Sequence, residues 1–351
     1  MKILIVIGTR PNFIKIAPFL DEVKKEKKIQ RVMVHTGQHY DFEMSKSFFE
    51  DLKIPNPDYN LGVGSGSHGW QTGETMKKLE PVVSKEKPDL IIVLGDVNAT
   101  LAGALTAVKN HFPIAHIEAG LRSYDKGMPE EVNRVLTDHI SDFLFCPTET
   151  SVSNLKREGI EKRVFNVGDI MYDAFLRNSR IAQEKSSILE QLEIREKNFF
   201  LLTLHRSRNV DNLERFERII RAIGKSRELI LFPVHPRTKK TLDSIKMGFR
   251  NVKIIGPVGY LDMLILEKNA KKILTDSGGV QKEAYWAKTP CITLREKTEW
   301  VETIESGWNI LVGDDKEKIT QAIGSFNPKN EQPDYFGQGN TSKKIINIIK
   351  R

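Results

Sequence analysis

Cysteine is scarce in this chain, with two residues, Cys146 and Cys291, in 351. Thiols so far apart make neither a disulfide scaffold nor a zinc motif, and each lies in or beside an apolar strand-like run. Both are expected to be buried, reduced packing residues. Long apolar runs are missing too. No stretch approaches the ~18 residues of a membrane span, and Met1-Lys2 leads straight into a short strand-like run without an export signal. A cytoplasmic protein with no membrane partner is therefore expected. Metal ligation has little to build on, because His35 and His39 lack a third ligand at helical or hairpin spacing. The first half carries no G-x-G-x-x-G fingerprint, which argues against a dinucleotide dehydrogenase. Nor does the net charge of +8 mark a nucleic-acid partner. Its lysines are spread over helical faces and loops, as at Lys24, Lys25, Lys27 and Lys28, and a solvated surface with a small anionic substrate accounts for them.

What is present is an ordinary globular composition, 39% hydrophobic and 28% charged, in a chain long enough for two cores. Continuous apolar runs of strand length alternate with helical periodicity. Such runs suit strands buried on both faces of a parallel sheet. They fall at 2–7, 31–35, 90–94, 114–117, 143–147 and 163–168, with a helix expected from about Phe42 to Leu52. Residues 53–68, rich in Pro and Gly, are expected to form either a mobile loop at the ligand cleft or a plain surface loop. After a charged helical stretch over 169–197 the pattern restarts, with strands at 199–204, 229–233, 252–255 and 272–275. The fold class is α/β: a doubly wound domain over 1–168, a second over 169–337, and an amphipathic helix near 341–350 that crosses back, so that about 338–351 joins the first domain. The strand ends of both halves are expected on a shared cleft.

The stretch Leu274-Thr275-Asp276-Ser277-Gly278-Gly279-Val280-Gln281-Lys282-Glu283-Ala284 reads as strand, bare turn and helix start. Uncovered N–H groups and the helix dipole make such a start a phosphate site. Glu283, in the first turns, is either an acceptor for a vicinal diol such as a ribose or an exposed carboxylate of an ordinary strand–helix unit.

Charged residues recur at the strand ends of the first half, where open α/β sheets bind ligands. Arg10 and Lys15 follow the first strand; each is a ligand contact or a solvated cation. Asp96 is a helix N-cap or a carboxylate facing the ligand. Glu118 follows the strand at 114–117. Glu130 and Glu131 stand behind Pro129, where a helix first turn favours acidic residues in any case. His205 ends the strand at 199–204.

These residues resemble the non-hydrolysing UDP-N-acetylglucosamine 2-epimerases. The resemblance rests on Gly8-Thr9-Arg10-Pro11 with Ile14-Lys15, Gly95-Asp96, His116-Ile117-Glu118-Ala119-Gly120-Leu121-Arg122, Pro129-Glu130-Glu131-x-Asn133-Arg134, Pro147-Thr148-Glu149, Pro233-Val234-His235 and Thr275-Asp276-Ser277-Gly278-Gly279. It implies a two-domain GT-B fold with two Rossmann-like domains facing a central cleft, usually a homodimer. The implied reaction converts UDP-GlcNAc to UDP-ManNAc by elimination and re-addition of UDP, with no nicotinamide cofactor and no metal. By motif position, Asp96, Glu118 and Glu130 resemble the family's catalytic carboxylates and His205 its active-site histidine. Arg10 and Lys15 match substrate-contacting cations, Ser277, Gly278 and Gly279 the diphosphate site, and Glu283 the ribose ligand.

The chain departs from the family at Asn12, at Leu204-His205-Arg206-Ser207-Arg208-Asn209, and at Thr298-Glu299-Trp300-Val301-Glu302, where a substrate-touching arginine is replaced by Trp300. Arg295 is a candidate to stand in for it. Four other readings compete: an epimerase of a modified UDP-hexosamine, a hydrolysing relative, a GT-B glycosyltransferase, and a catalytically silent nucleotide-binding or scaffold protein.

Overall fold

The computed structural model describes residues 1–37, 52–245 and 251–351; His39 and the helix expected from Phe42 lie outside them. The chain divides into two compact units, Met1–Arg177 with Asp334–Arg351, and Asn178–Pro333.

The first unit is built on a parallel sheet of β1 (Lys2–Ile7), β2 (Gln30–His35), β3 (Tyr59–Asn60), β4 (Leu90–Leu94), β5 (Ile114–Ile117), β6 (Phe143–Cys146) and β7 (Val164–Asn166), in the order β3-β2-β1-β4-β5-β6-β7. The central strands are buried along their length: every residue of β4 and β5 is buried, as is β1 beyond Lys2. Helices on both faces leave the apolar runs no solvent side. The order reverses between β1 and β4, so the loops after these two strands diverge to opposite faces and leave a crevice at their carboxyl ends.

The second unit repeats the plan with β8 (Phe200–Thr203), β9 (Ile230–Pro233), β10 (Val252–Ile255), β11 (Lys272–Thr275), β12 (Cys291–Thr293) and β13 (Asn309–Leu311), in the order β10-β9-β8-β11-β12-β13. Its switch point lies between β8 and β11, which run parallel from Lys272 beside Phe200 to Thr275 beside Thr203. One core cluster joins Leu202, Phe216, Ile219, Phe232, Leu274 and Ile292 across four strands and a helix.

The expected strands are present, with ends moved by a residue or two. The segment 53–68 is not wholly open: β3 lies within it, pairing Val34 with Tyr59 and His35 with Asn60. Strands β12 and β13, three residues each, are too short to show a period in sequence. The C-terminal helix Thr341–Ile349 buries Ile345, Ile346 and Ile349 and packs on Arg10–Val23 of the first unit. Asp173 anchors its start, accepting from the N–H groups of Thr341 (3.1 Å) and Ser342 (2.8 Å). Cys146 and Cys291 are both free and buried, and burial pushes the Cys291 thiol up to about 12. Among the described residues, no helix is long and apolar enough to cross a membrane.

Candidate functional site

In the first unit the ends of β1, β4 and β5 bring together three of the residues expected from sequence. Lys15, in the first turns of the helix Arg10–Val23, pairs its ammonium with Glu118. Burial alone would lower the Lys15 ammonium, but Glu118, Asp96 and Asp169 outweigh it and hold the group above its ordinary value. Asp96 does not cap a helix. The next helix, Asn98–Lys109, begins from Val97, and the Asp96 carboxylate is instead paired with Arg134. Arg134 is itself buried and also bonds Glu131 at 3.1 Å. Glu118 has a left-handed backbone, with φ 70°, a conformation that costs a non-glycine residue about 1–2 kcal/mol. That strain aims its nearly buried carboxylate at Lys15.

Arg10 begins its helix; its side chain is outside the described residues. The two adjacent glutamates of the Pro129 motif separate. Glu131 is buried and accepts from the Ser123 and Tyr124 N–H groups, both at 2.9 Å, which makes it a structural anchor, whereas Glu130 is exposed. Asn12, a departure from the family pattern, has a definite role. Its side-chain oxygen accepts from the Gly8 (3.3 Å) and Thr9 (3.2 Å) N–H groups, and its amide donates to the Leu94 carbonyl at 3.3 Å. It ties the end of β1 to the end of β4 across the switch point.

A buried charged chain lies behind these turns. His116 is within 2.8 Å of the Gly95 carbonyl through Nε2 and 2.7 Å of Asp138 through Nδ1. Asp138 accepts also from the Gly120 N–H (3.0 Å) and Arg122 (2.7 Å). Burial would raise the Asp138 carboxyl, but His116 and Arg122 hold it below the usual range. One residue thus holds the turns that carry Asp96 and Glu118. Gly120 has φ +79°, and a Cβ there would stand 2.4 Å from the Ser151 carbonyl oxygen. Only glycine fits this position.

In the second unit, His205 follows β8 and Ser277 follows β11, at the second switch point. Asp276, fully buried, accepts from the N–H groups of His205 (3.2 Å) and Arg206 (2.9 Å) and from the Asn209 amide (3.1 Å), and lies 3.4 Å from His205 Nδ1. Burial lowers the His205 ring below its ordinary value; Asp276 opposes this, while Arg206 and His235 add to it. In sequence Asp276 is one letter of a motif, because its value depends on a donor 70 residues earlier.

Ser277 caps the helix Gly278–Trp286. Glu299 stands beside that start, held by Arg295 at 2.9 Å and Arg206 at 3.7 Å. A Cβ on Gly278 would lie 2.6 Å from a Glu299 carboxylate oxygen. Gly278→Ala should therefore change stability by only about 1 kcal/mol, because helix propensity offsets the crowding. Denaturant unfolding checks this, and a much larger loss would show that Glu299 cannot move aside. Trp300 is buried, and the Lys282 ammonium sits 3.8 Å from its ring centroid. The departure from the family arginine is thus accompanied by a buried cation that nothing in the sequence singles out. Glu283 is buried and accepts from the Tyr260 hydroxyl at 2.9 Å, so the reading of an exposed carboxylate does not hold. Burial pushes its carboxyl up to about 7, with Tyr260 and Lys282 opposing.

Two doubly wound parallel sheets, each with charged groups and an open helix start at its switch point, define a two-domain α/β protein of the GT-B type. The chain matches the family described as UDP-N-acetylglucosamine 2-epimerase over residues 21–350, and it belongs to that family. It is 56% identical, over all of its length and 99% of the relative's, to a UDP-N-acetylglucosamine 2-epimerase homolog of Methanococcus maripaludis. It is 43% identical, over the full length of both, to the UDP-2,3-diacetamido-2,3-dideoxy-D-glucuronate 2-epimerase of Pseudomonas aeruginosa. The crystal structure of Methanocaldococcus jannaschii UDP-GlcNAc 2-epimerase in complex with UDP-GlcNAc and UDP superposes with a TM-score of 0.89 at 49% identity, covering 100% of this chain and 99% of that one.

Proposed function

We propose that this chain catalyses the reversible epimerisation at C2 of UDP-N-acetylglucosamine to UDP-N-acetylmannosamine. The reading is supported above all by the strand-end cluster of Lys15, Glu118, Asp96 and Arg134, in which two carboxylates and two cations are gathered without a capping role. In the proposed path the C1–O bond to UDP breaks as a carboxylate takes the C2 proton, giving an unsaturated sugar. UDP then adds back to C1 and a proton is delivered to the opposite face of C2, so that atoms and charge balance over the cycle.

The carboxylates Asp96, Glu118 and Glu130 and the imidazole of His205 are assigned to proton transfer at C2, and Arg10 and Lys15 to substrate contact. Ser277, Gly278 and Gly279 offer the N–H groups of a helix start to the diphosphate, and Glu283 takes the ribose. On this assignment the part spanning 1–168 with 338–351 carries the carboxylates and the part spanning 169–337 holds UDP. A homodimer is expected in solution.

The test is an NMR assay in D2O. UDP-GlcNAc should turn into UDP-ManNAc with deuterium at C2, and finding neither product nor exchange overturns the reading. A second reading, an epimerase of a modified UDP-hexosamine, is favoured by Trp300 and by the likeness to the diacetamido-uronate enzyme. It predicts faster exchange with that sugar nucleotide in the same assay.

A further inference from the structure

A residue with no part in the proposed chemistry stands against Glu283. Glu267, on the helix Tyr260–Asn269, has 0% exposure, and neither of its carboxyl oxygens receives a donor. Its carboxyl lies within hydrogen-bonding reach of that of Glu283. Two ionised carboxylates only accept, so this contact becomes a bond when one of them carries a proton. Leaving both ionised in a desolvated site is costly, and a buried acid takes up a proton instead.

Which of the two holds it follows from their surroundings. Glu283 accepts from the Tyr260 hydroxyl and feels the Lys282 ammonium. The Glu267 carboxyl receives no hydroxyl donor and no cation; its other titratable neighbours, the Tyr260 hydroxyl, which is given to Glu283, and the Cys291 thiol, are both kept neutral by burial. We infer that Glu267 is a neutral carboxylic acid that donates its proton to the Glu283 carboxylate, and with Tyr260 favours the ionised form of Glu283 and aims it at the ribose diol of the nucleotide. Burial and the charge of the neighbouring Glu283 carboxylate raise the Glu267 carboxyl well above its usual range. Glu267 is thus a positioning residue acting through Glu283, and the inference rests on the reading of Glu283 as the ribose ligand.

The affinities for UDP and for 2′,3′-dideoxy-UDP, measured by calorimetry at neutral and at alkaline pH, give a ratio that reports diol recognition without the phosphate's own titration. Glu267→Gln keeps a donor toward Glu283, so its ratio should stay within about twofold of wild type. Glu267→Leu removes the donor and lets Glu283 take up the proton. At pH 7 its ratio should fall about tenfold as the neutral Glu283 carboxyl comes to predominate, and it should recover at alkaline pH.

A Glu267→Leu protein with the wild-type ratio and pH profile overturns the inference, as does a Glu267→Gln protein that loses as much as Glu267→Leu. Glu283→Gln separates the two readings. If it abolishes the ratio while Glu267→Leu does not, only the role of Glu267 falls; if it leaves the ratio unchanged, the ribose assignment falls and takes this one with it. An infrared difference spectrum of wild type against Glu267→Gln at pH 7 tests the proton directly. A protonated carboxyl stretch is expected, and carboxylate bands alone overturn the inference.

Discussion

Asp96→Asn should lower turnover of UDP-GlcNAc and deuterium exchange at C2 by about 10³-fold, within the range for losing a positioned acid or base. The amide can still accept from Arg134, and the Asn133 side chain still bonds the residue 96 carbonyl at 2.9 Å, so the turn after β4 keeps its shape. What is lost is the capacity to exchange a proton. Since Asp96 is not assigned to the nucleotide, UDP affinity should change by less than about threefold, or ~0.6 kcal/mol. Steady-state NMR in D2O beside calorimetric titration with UDP separates the two effects. Wild-type exchange in the variant would mean that Asp96 serves only as the partner of Arg134, and the proton would have to be traced to Glu118 or Glu130.

Asp276→Asn should be the more damaging change to the fold. Asp276 is fully buried and surrounded by donors: two backbone N–H groups and the Asn209 amide within 3.2 Å. An asparagine either leaves one of these unsatisfied or turns its own N–H toward another donor. A lost charge-assisted bond with an orphaned buried donor costs about 3 kcal/mol. Asn209 would carry the disturbance outward, because it also donates to the Leu294 carbonyl at 3.0 Å and accepts from Arg215 at 2.7 Å. Denaturant unfolding should show this loss. The population that remains folded should have reduced turnover, because the turn that presents His205 loses its anchor. If stability and kcat both match wild type, the Asp276 carboxylate is dispensable to that turn.

How far such effects can be read from sequence depends on the distance over which they act. The apolar run at 90–94 and the glycine pair at 278–279 announce a buried strand and a helix start because their causes are local: side-chain period, chain direction and the absence of Cβ. The adjacent Glu130 and Glu131 look alike in sequence for the same reason, and only the turn at Ser123–Tyr124, which supplies donors to one of them, tells them apart. Asn12 reads as a tolerated departure until the Leu94 carbonyl, 82 residues away, is seen to receive its amide.

The sequence by itself determined the class of the fold, most of the strands, and the charged residues gathered at the strand ends, because burial pattern and turn chemistry are written in short runs of neighbours. Tertiary structure alone decided that Asp96 pairs with Arg134 and caps nothing, that Asp138 and Asp276 fasten the turns behind the proposed chemistry, and that Glu283 is buried with Glu267 at its back. Each of these depends on which distant donor, cation or carboxyl the fold brings within a hydrogen bond, and on how much water it removes from between them. A buried polar group takes its charge and its role from those neighbours.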